Sequence, residues 1–409
     1  MKQVWIINHY AQEPDGAGGT RHFHLAKYLE ACGWQATVIA ASVELNSGRQ
    51  RLDTDEAHRL ERVGGVPFLW VRTPTYRGNG GGRMRNMLAF MRRVILARTT
   101  RQLPRPDVVV GSSVHPFAAV AGAMLARRFN VPFVFEVRDL WPQTLVDMGR
   151  LRESSPVTWA MRKLELWLYR RAVRTVVLLP HAWKYIAPLG IPRERIVWIP
   201  NGVDLSLFPP SQPPVREPSE PFTLMYLGAH GQANGLHTVL LAMKLLQERA
   251  TVPAIRLRMV GDGALKPVLI AQARQLGLRN VSFEPAVPKR EVPALAAQAD
   301  AFVIAVLDLP NLYRYGISMN KLFDYLAAAR PIVMASDASN NPVADAQAGP
   351  TVRADQPLQL ADAIVQVATA SQDERARMGR NGRRYVAHHH DFPQLSQRLA
   401  AVLDEVCAA

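Results

Sequence analysis

The sequence predicts an α/β protein of two Rossmann-like units, and three observations carry that expectation. Short runs rich in Val, Ile, Leu and Phe alternate with helical stretches from the first residues, the pattern of parallel strands joined by helical crossovers. The same alternation restarts after residue 221. Between the two series, Pro209, Pro210, Pro213, Pro214, Pro218 and Pro221 crowd one short segment. Proline lacks the N–H that a helix or a ladder uses, so this segment reads as a linker.

In order, strands of the first series are expected at Gln3-Val-Trp-Ile-Ile7, Gln35-Ala-Thr-Val-Ile39, Asp107-Val-Val-Val110, Pro132-Phe-Val-Phe-Glu-Val137 and Thr175-Val-Val-Leu-Leu179. The uncharged stretch 108–126 approaches the length of a membrane span. Ser112, Ser113, His115 and Pro116 in its middle make it a buried strand entering a helix instead. The second series comprises Phe222-Thr-Leu-Met-Tyr226, Ile255-Arg-Leu-Arg-Met-Val260, Ala301-Phe-Val-Ile304 and Pro331-Ile-Val-Met334. Asp391 followed by Pro393 opens a last helix through Leu395, Leu399 and Leu403, expected to dock back on the first unit. The expected divisions are 1–205, a linker at 206–221, a second unit at 222–390 and the terminal helix at 391–409.

A chain of 409 residues, 48% apolar and 20% charged, suits two globular units that each bury a core. The start shows no signal-peptide pattern, since Asn8 and His9 interrupt the first apolar run. Cys32 and Cys407 are the whole cysteine complement, which fits a reducing compartment and inert thiols. The net charge of +15 is unevenly placed: residues 1–200 hold 29 Lys/Arg against 15 Asp/Glu, and the remainder hold 20 against 19. A partner that needs positive charge therefore meets the first half.

Parallel sheets bind ligands at the carboxyl ends of their strands, so the residues following each strand are the candidates. After the first strand, Asp15-Gly-Ala-Gly-Gly19 leads into a helix, where Gly18 and Gly19 expose backbone N–H groups to a phosphate or simply make a tight turn. His115 follows the third strand, as a ligand contact or a packing residue. Glu136-Val-Arg-Asp-Leu-Trp-Pro142 follows the fourth, and Glu136 with Arg138 also fits a structural ion pair.

In the second half, Ile199-Pro-Asn-Gly-Val-Asp204 closes a strand, Gly228 and Gly231 lie in a strand-to-helix loop ending at Gly235, and Gly261-Asp-Gly263 ends another strand. Such glycine loops suggest a diphosphate seat. Lys321 and Asp324 share one helical face, as a phosphate cation with a ribose acceptor or as a surface salt bridge. The run His388-His389-His390 does not read as a metal site, because adjacent helical residues point about 100° apart.

Together the two units, the 199–204 signature, the 228–235 loop and the 324–331 helix resemble the family 4 glycosyltransferases of the retaining type, with the GT-B fold. The resemblance runs the whole length, and Glu136 to Pro142 with Lys321-Leu-Phe-Asp-Tyr325 resembles the WbuB-like branch that builds O-antigen and capsular polysaccharides. It implies two domains facing each other across a cleft, the acceptor on the first and a nucleotide-sugar donor, a UDP-sugar, on the second. The transferred group would be a hexosyl or N-acetylhexosaminyl unit.

Departures from the family pattern accompany the resemblance. Asp324 stands at the second position of the acid-x7-acid motif and Gly316 at the first, while Ala229 and Asn234 align with the arginine and lysine that neutralise the donor diphosphate. Lys321, with Arg314, is the candidate replacement cation. What the resemblance implies is metal-independent transfer without a cofactor. Asp324 would hold ribose, the backbone of Tyr315, Gly316, Ile317 and Ser318 with Lys321 would hold phosphates, and His115 would position the sugar. Glu136 or Asp139 would orient the acceptor hydroxyl, beside Arg138.

From residue 62 to 106 there are ten Arg and no Lys, Asp or Glu. Within a helix expected at 83–101, Arg85, Arg92, Arg93 and Arg98 alternate with Met84, Met87, Leu88, Met91, Ile95 and Leu96, as in an interfacial helix or a core-packing helix with a solvated face. The tract lacks the interleaved aromatics of a nucleic-acid platform. An anionic membrane and a lipid-linked or membrane-associated glycan acceptor are therefore the expected partners, with the protein peripheral on the inner face of the cytoplasmic membrane. The rival functions are a nucleotide-sugar 2-epimerase of the same architecture and a non-catalytic nucleotide-sugar-binding module.

Overall fold

The computed structural model describes residues 1–14, 16, 19–44, 48–76, 78, 80–113, 115–210, 220–249 and 253–408. The chain divides into two units, one comprising Met1–Asn201 with Phe392–Ala409 and the other Gly202–Asp391. The first holds β1 (Lys2–Ile7), β2 (Trp34–Ala41), β3 (His58–Val63), β4 (Val66–Val71), β5 (Val108–Ser113), β6 (Phe133–Val137), β7 (Arg174–Val177) and β8 (Ile196–Trp198). Their order is β3-β4-β2-β1-β5-β6-β7-β8. All neighbours are parallel except β3 and β4. That hairpin is an addition to the sequence reading. Gly64 and Gly65 turn it with φ of 53° and 85°, the left-handed pair that a two-residue turn needs.

Alternate residues of each strand face opposite helical layers. Val4, Ile6, Val108 and Val110 pack with the Arg21–Leu29 and Phe392–Ala408 helices. Gly111, of opposite parity, lies against Ala119 of the Pro116–Phe129 helix, where a Cβ would come 2.9 Å from the Ala119 Cα. The last helix buries Leu395, Leu399, Leu403 and Val406 in the first unit. Phe392 stacks on His24 at 4.8 Å, and Asp404 accepts from Trp34 Nε1 at 3.1 Å and Lys2 Nζ at 2.8 Å.

The second unit holds β9 (Phe222–Leu227), β10 (Ile255–Val260), β11 (Val281–Glu284), β12 (Ala301–Ala305), β13 (Ile332–Ala335) and β14 (Thr351–Val352), all parallel in the order β11-β10-β9-β12-β13-β14. Phe302 and Tyr325 stack at 4.1 Å in its core. The boundary lies at Asn201/Gly202 rather than after residue 205. Val203 pairs with Asp391, and Phe208 is buried in the second unit's core, so residues 202–208 are not linker. Residues 211–219 of the expected linker lie outside the described residues.

Candidate active site

Polar residues of the first unit gather at the carboxyl ends of β1, β5 and β6. Glu136, in β6, is buried. Its Oε1 accepts from Arg21 Nε at 2.9 Å, and its Oε2 accepts from Ser112 Oγ at 2.6 Å and lies 2.6 Å from His22 Nε2. The tautomer of His22 follows from its neighbour. Asn8 Oδ1 accepts from the Tyr10 backbone N–H at 2.9 Å, so the Asn8 amide donates to His22 Nδ1 at 2.8 Å. The His22 proton therefore sits on Nε2 and is donated to Glu136.

Burial pushes the Glu136 carboxyl up, but Arg21, His22 and Ser112 outweigh it and hold the group well below the usual carboxylate range. Burial keeps His22 neutral against the pull of Glu136. Arg21 extends the cluster by donating to the carbonyls of Ile199, at 3.0 Å, and Pro200. Glu136 thus braces the start of the 199–204 signature against the sheet. The expectation that it orients an acceptor hydroxyl is corrected by this geometry, because its oxygens are already occupied by three buried donors. Its ion-pair partner is Arg21, not Arg138.

Arg138 is half-buried, and its Nε has no partner among the described residues. Its Nη2 lies 3.2 Å from where a Cβ on Gly19 would stand, so the bare residue leaves the guanidinium its place. Gly18 lies outside the described residues. Asp139 is exposed. His115 is buried with neither ring nitrogen partnered among the described residues, and the same holds for His9, 4.7 Å away edge to face. Burial depresses His9 to about 3 and His115 well below its ordinary value, which keeps both imidazoles neutral.

Of the four basic residues expected to meet a membrane, Arg85 and Arg92 are exposed on the Gly81–Ile95 helix. Arg93 instead turns inward, donating to the Arg72 carbonyl at 2.7 Å, and it lines a groove with Arg98, Asp55 and Glu56. Met87, Phe90 and Val94 of this helix are core, while Met84 and Leu88 are exposed.

In the second unit three glycines are fixed by close approach. A Cβ on Gly261 would lie 2.0 Å from the Gly228 carbonyl oxygen, and one on Gly263 would lie 2.6 Å from that of His230. Gly228 lets the stem of Lys321 pass, with 3.2 Å from a Cβ there to Lys321 Cδ. Gly231 has only ordinary contact. Lys321 Nζ donates to Tyr226 Oη at 2.9 Å and to Asn234 Oδ1, and lies over the Tyr226 ring at 4.7 Å. No carboxylate pairs with Lys321 among the described ion pairs, and burial pushes its ammonium down to about 7. Asp324 pairs with Lys289 instead of Lys321.

The turn before this helix is also partly committed. Gly316 N–H donates to the Tyr313 carbonyl at 3.0 Å, and Ile317 N–H donates to Asn340 Oδ1 at 2.7 Å. The expectation that these two amides hold phosphates is corrected accordingly. Gly316 has a φ of 103°, a backbone conformation that disfavours an acidic side chain. Arg314 is exposed and lies over the Tyr315 ring at 4.7 Å, with Ser318 half-buried beyond it.

Residues 16–202 match the family described as Glycosyl transferase 4-like domain, and residues 221–370 match Glycosyl transferases group 1. The chain belongs to the family 4 glycosyltransferases. It is 26% identical over 217 residues to the putative colanic acid biosynthesis glycosyltransferase WcaL of Escherichia coli K12, covering 53% of this chain. That match spans about half of the relative's length, 52%. Among solved structures, sucrose-phosphate synthase from Thermosynechococcus elongatus superposes with a TM-score of 0.75 at 16% identity, with 100% of both chains covered. Anabaena HepE, solved with UDP and glucose, gives 0.65 at 16% identity over 99% of each chain. The fold is GT-B.

Asn234, expected from the resemblance at the position of the family's loop lysine, accepts a hydrogen bond from Lys321, so an ammonium reaches that loop from another element. Arg21, His22, His9, Tyr226 and Lys289 were not among the residues singled out in the sequence. Arg21 and His22 had a signal, since they follow the 15–19 glycine loop just after Thr20; Lys289 had none.

Proposed function

We propose that this transferase moves a hexosyl or N-acetylhexosaminyl group from a UDP-sugar to a lipid-linked or membrane-associated glycan, with retention, during synthesis of a surface polysaccharide. The observation that carries the reading is Lys321, an ammonium held by two neutral acceptors and no carboxylate beside the close-packed Gly228, Gly261 and Gly263 loops. As the sugar C1–O bond breaks, negative charge develops on the departing diphosphate, and a cation preorganised there stabilises it. The acceptor hydroxyl attacks C1 on the face the diphosphate leaves, forming the new C1–O bond as the old one breaks and passing its proton to the departing diphosphate oxygen. Asp324 holds ribose. The neutral His115 positions the sugar by hydrogen bonding, and the exposed Asp139 with Arg138 engages the acceptor on the first unit.

Support for the donor class comes from HepE, solved with UDP and glucose, and for the polysaccharide role from WcaL, named for colanic acid biosynthesis. Among the described residues no helix is long and apolar enough to cross a membrane, and the acceptor is reached from the cytoplasmic surface of the bilayer in this reading.

Thermal unfolding against a panel of UDP- and GDP-sugars tests the donor. A ligand that binds only the folded state at a hundred times its Kd adds about 2.7 kcal/mol of stability. UDP-sugars are expected to protect, and protection by GDP-sugars alone would overturn the base assignment. Release of an epimerised free nucleotide-sugar without any acceptor would replace the transferase reading with the 2-epimerase.

A further inference from the structure

The first unit carries a basic and apolar surface that extends beyond the 62–106 tract. The helices Gly81–Ile95, Pro116–Phe129 and Pro156–Arg171 pack in a row on the sheet face opposite Arg21–Leu29 and Phe392–Ala408. Large apolar side chains protrude from all three: Met84 and Leu88 from the first, Met124 from the second, Trp159 and Trp167 from the third. Trp159 is 65% exposed and Trp167 38%, where buried aromatics are the rule elsewhere in this unit.

Their spacing is directional. Trp159, Lys163, Trp167 and Arg171 follow at intervals of four, a stripe along one side of the helix about 18 Å long. Lys163 Nζ lies 5.6 Å from the Trp159 ring and the Arg171 guanidinium 5.8 Å from the Trp167 ring. None of the three helices has an exposed carboxylate among the described residues. Their one acid, Glu165, is buried and accepts from Tyr169 and Tyr185, while the neighbouring exposed Glu153 is paired with Arg162.

We propose that the Pro156–Arg171 helix is the membrane anchor of this protein, with Trp159 and Trp167 inserted at the headgroup boundary of an anionic bilayer and Lys163 and Arg171 on its phosphates. Indole rings prefer that boundary, and an apolar row flanked by cations without acids matches an anionic lipid surface. The proposal deepens the membrane reading above and rests on it, adding the element that enters the lipid.

The test is co-sedimentation of the full chain with vesicles of phosphatidylcholine containing one third phosphatidylglycerol, and with phosphatidylcholine alone. The expected result is binding to the anionic vesicles, reduced on the order of a hundredfold in Trp159→Ser/Trp167→Ser, with thermal protection by UDP unchanged as the control for folding. Equal vesicle binding by wild type and variant would overturn the anchor while leaving a membrane role intact. Wild-type protein that binds no vesicle would overturn both. A dimer in sedimentation equilibrium that the double substitution abolishes would reassign the stripe to a second copy of the chain.

Discussion

The two units solve the same local problem, a charged side chain beside the ends of parallel strands, in opposite ways. In the first, Glu136 is surrounded by a guanidinium, an imidazole and a hydroxyl, and its charge is stabilised far beyond that of a free carboxylate. In the second, Lys321 has two neutral acceptors and an aromatic face, and its charge is destabilised. A saturated charge holds structure and has nothing left to offer a ligand. An undersatisfied one gains most when a ligand of opposite sign arrives, which is why Lys321 carries the functional proposal and Glu136 does not.

The largest effect is expected from breaking the saturated cluster. Glu136→Ala leaves Arg21 buried without its carboxylate and should cost about 3–5 kcal/mol in denaturant unfolding. Because the folded pKa of Glu136 is depressed, its stabilisation is present above the ordinary carboxylate range and is lost as pH falls through the folded value. The comparison breaks if Glu136→Gln keeps full stability and yet abolishes transfer, since that outcome would make the carboxylate catalytic.

The undersatisfied cation should behave in the reverse manner. Lys321→Met is expected to weaken nucleoside diphosphate binding by about 1.5–3 kcal/mol while sparing the bare nucleoside, the scale of a hydrogen bond to a charged group. Its pH signature is distinctive. With a folded pKa of about 7 against 10.5 in the unfolded chain, the unfolded state binds the extra proton between those values, so stability rises with pH across that window. The variant should lose that rise. Diphosphate affinity of the wild type should fall by up to about tenfold per pH unit above 7, as the ammonium deprotonates. Calorimetric titrations at pH 6, 8 and 9 that gave one affinity would remove Lys321 from the phosphates.

Asp324 sharpens the comparison at the smallest scale, because it is half engaged. With Lys289 on Oδ2, Asp324→Asn should weaken uridine binding by about 1 kcal/mol, less than an unpaired ribose acceptor would. Lys289→Met is the control. If both substitutions lower stability equally and neither changes uridine affinity, Asp324 is a structural partner of Lys289 only.

Much of this architecture was legible in the sequence, and the illegible parts share a cause. Alternation of short apolar runs with helical stretches fixes two parallel α/β units, since period and crossover are local properties of the chain. The apolar row of Leu395, Leu399 and Leu403 likewise announced a helix needing a face to cover. The strand-end glycines were visible too, although only contact shows that Gly261 and Gly263 are required by neighbouring carbonyls and Gly231 is not. Tertiary structure alone decided the partners of the charges. Arg21 reaches Glu136 across 115 residues, and Lys321 turns to Tyr226 and Asn234 while its helical neighbour Asp324 turns to Lys289. The outward stripe of Trp159 and Trp167 was hidden for the same reason, because an apolar row at helical spacing reads as core until packing shows which side the sheet has taken. Periodicity is written between near neighbours along the chain, whereas desolvation and pairing depend on which distant segments the fold brings within a few ångströms.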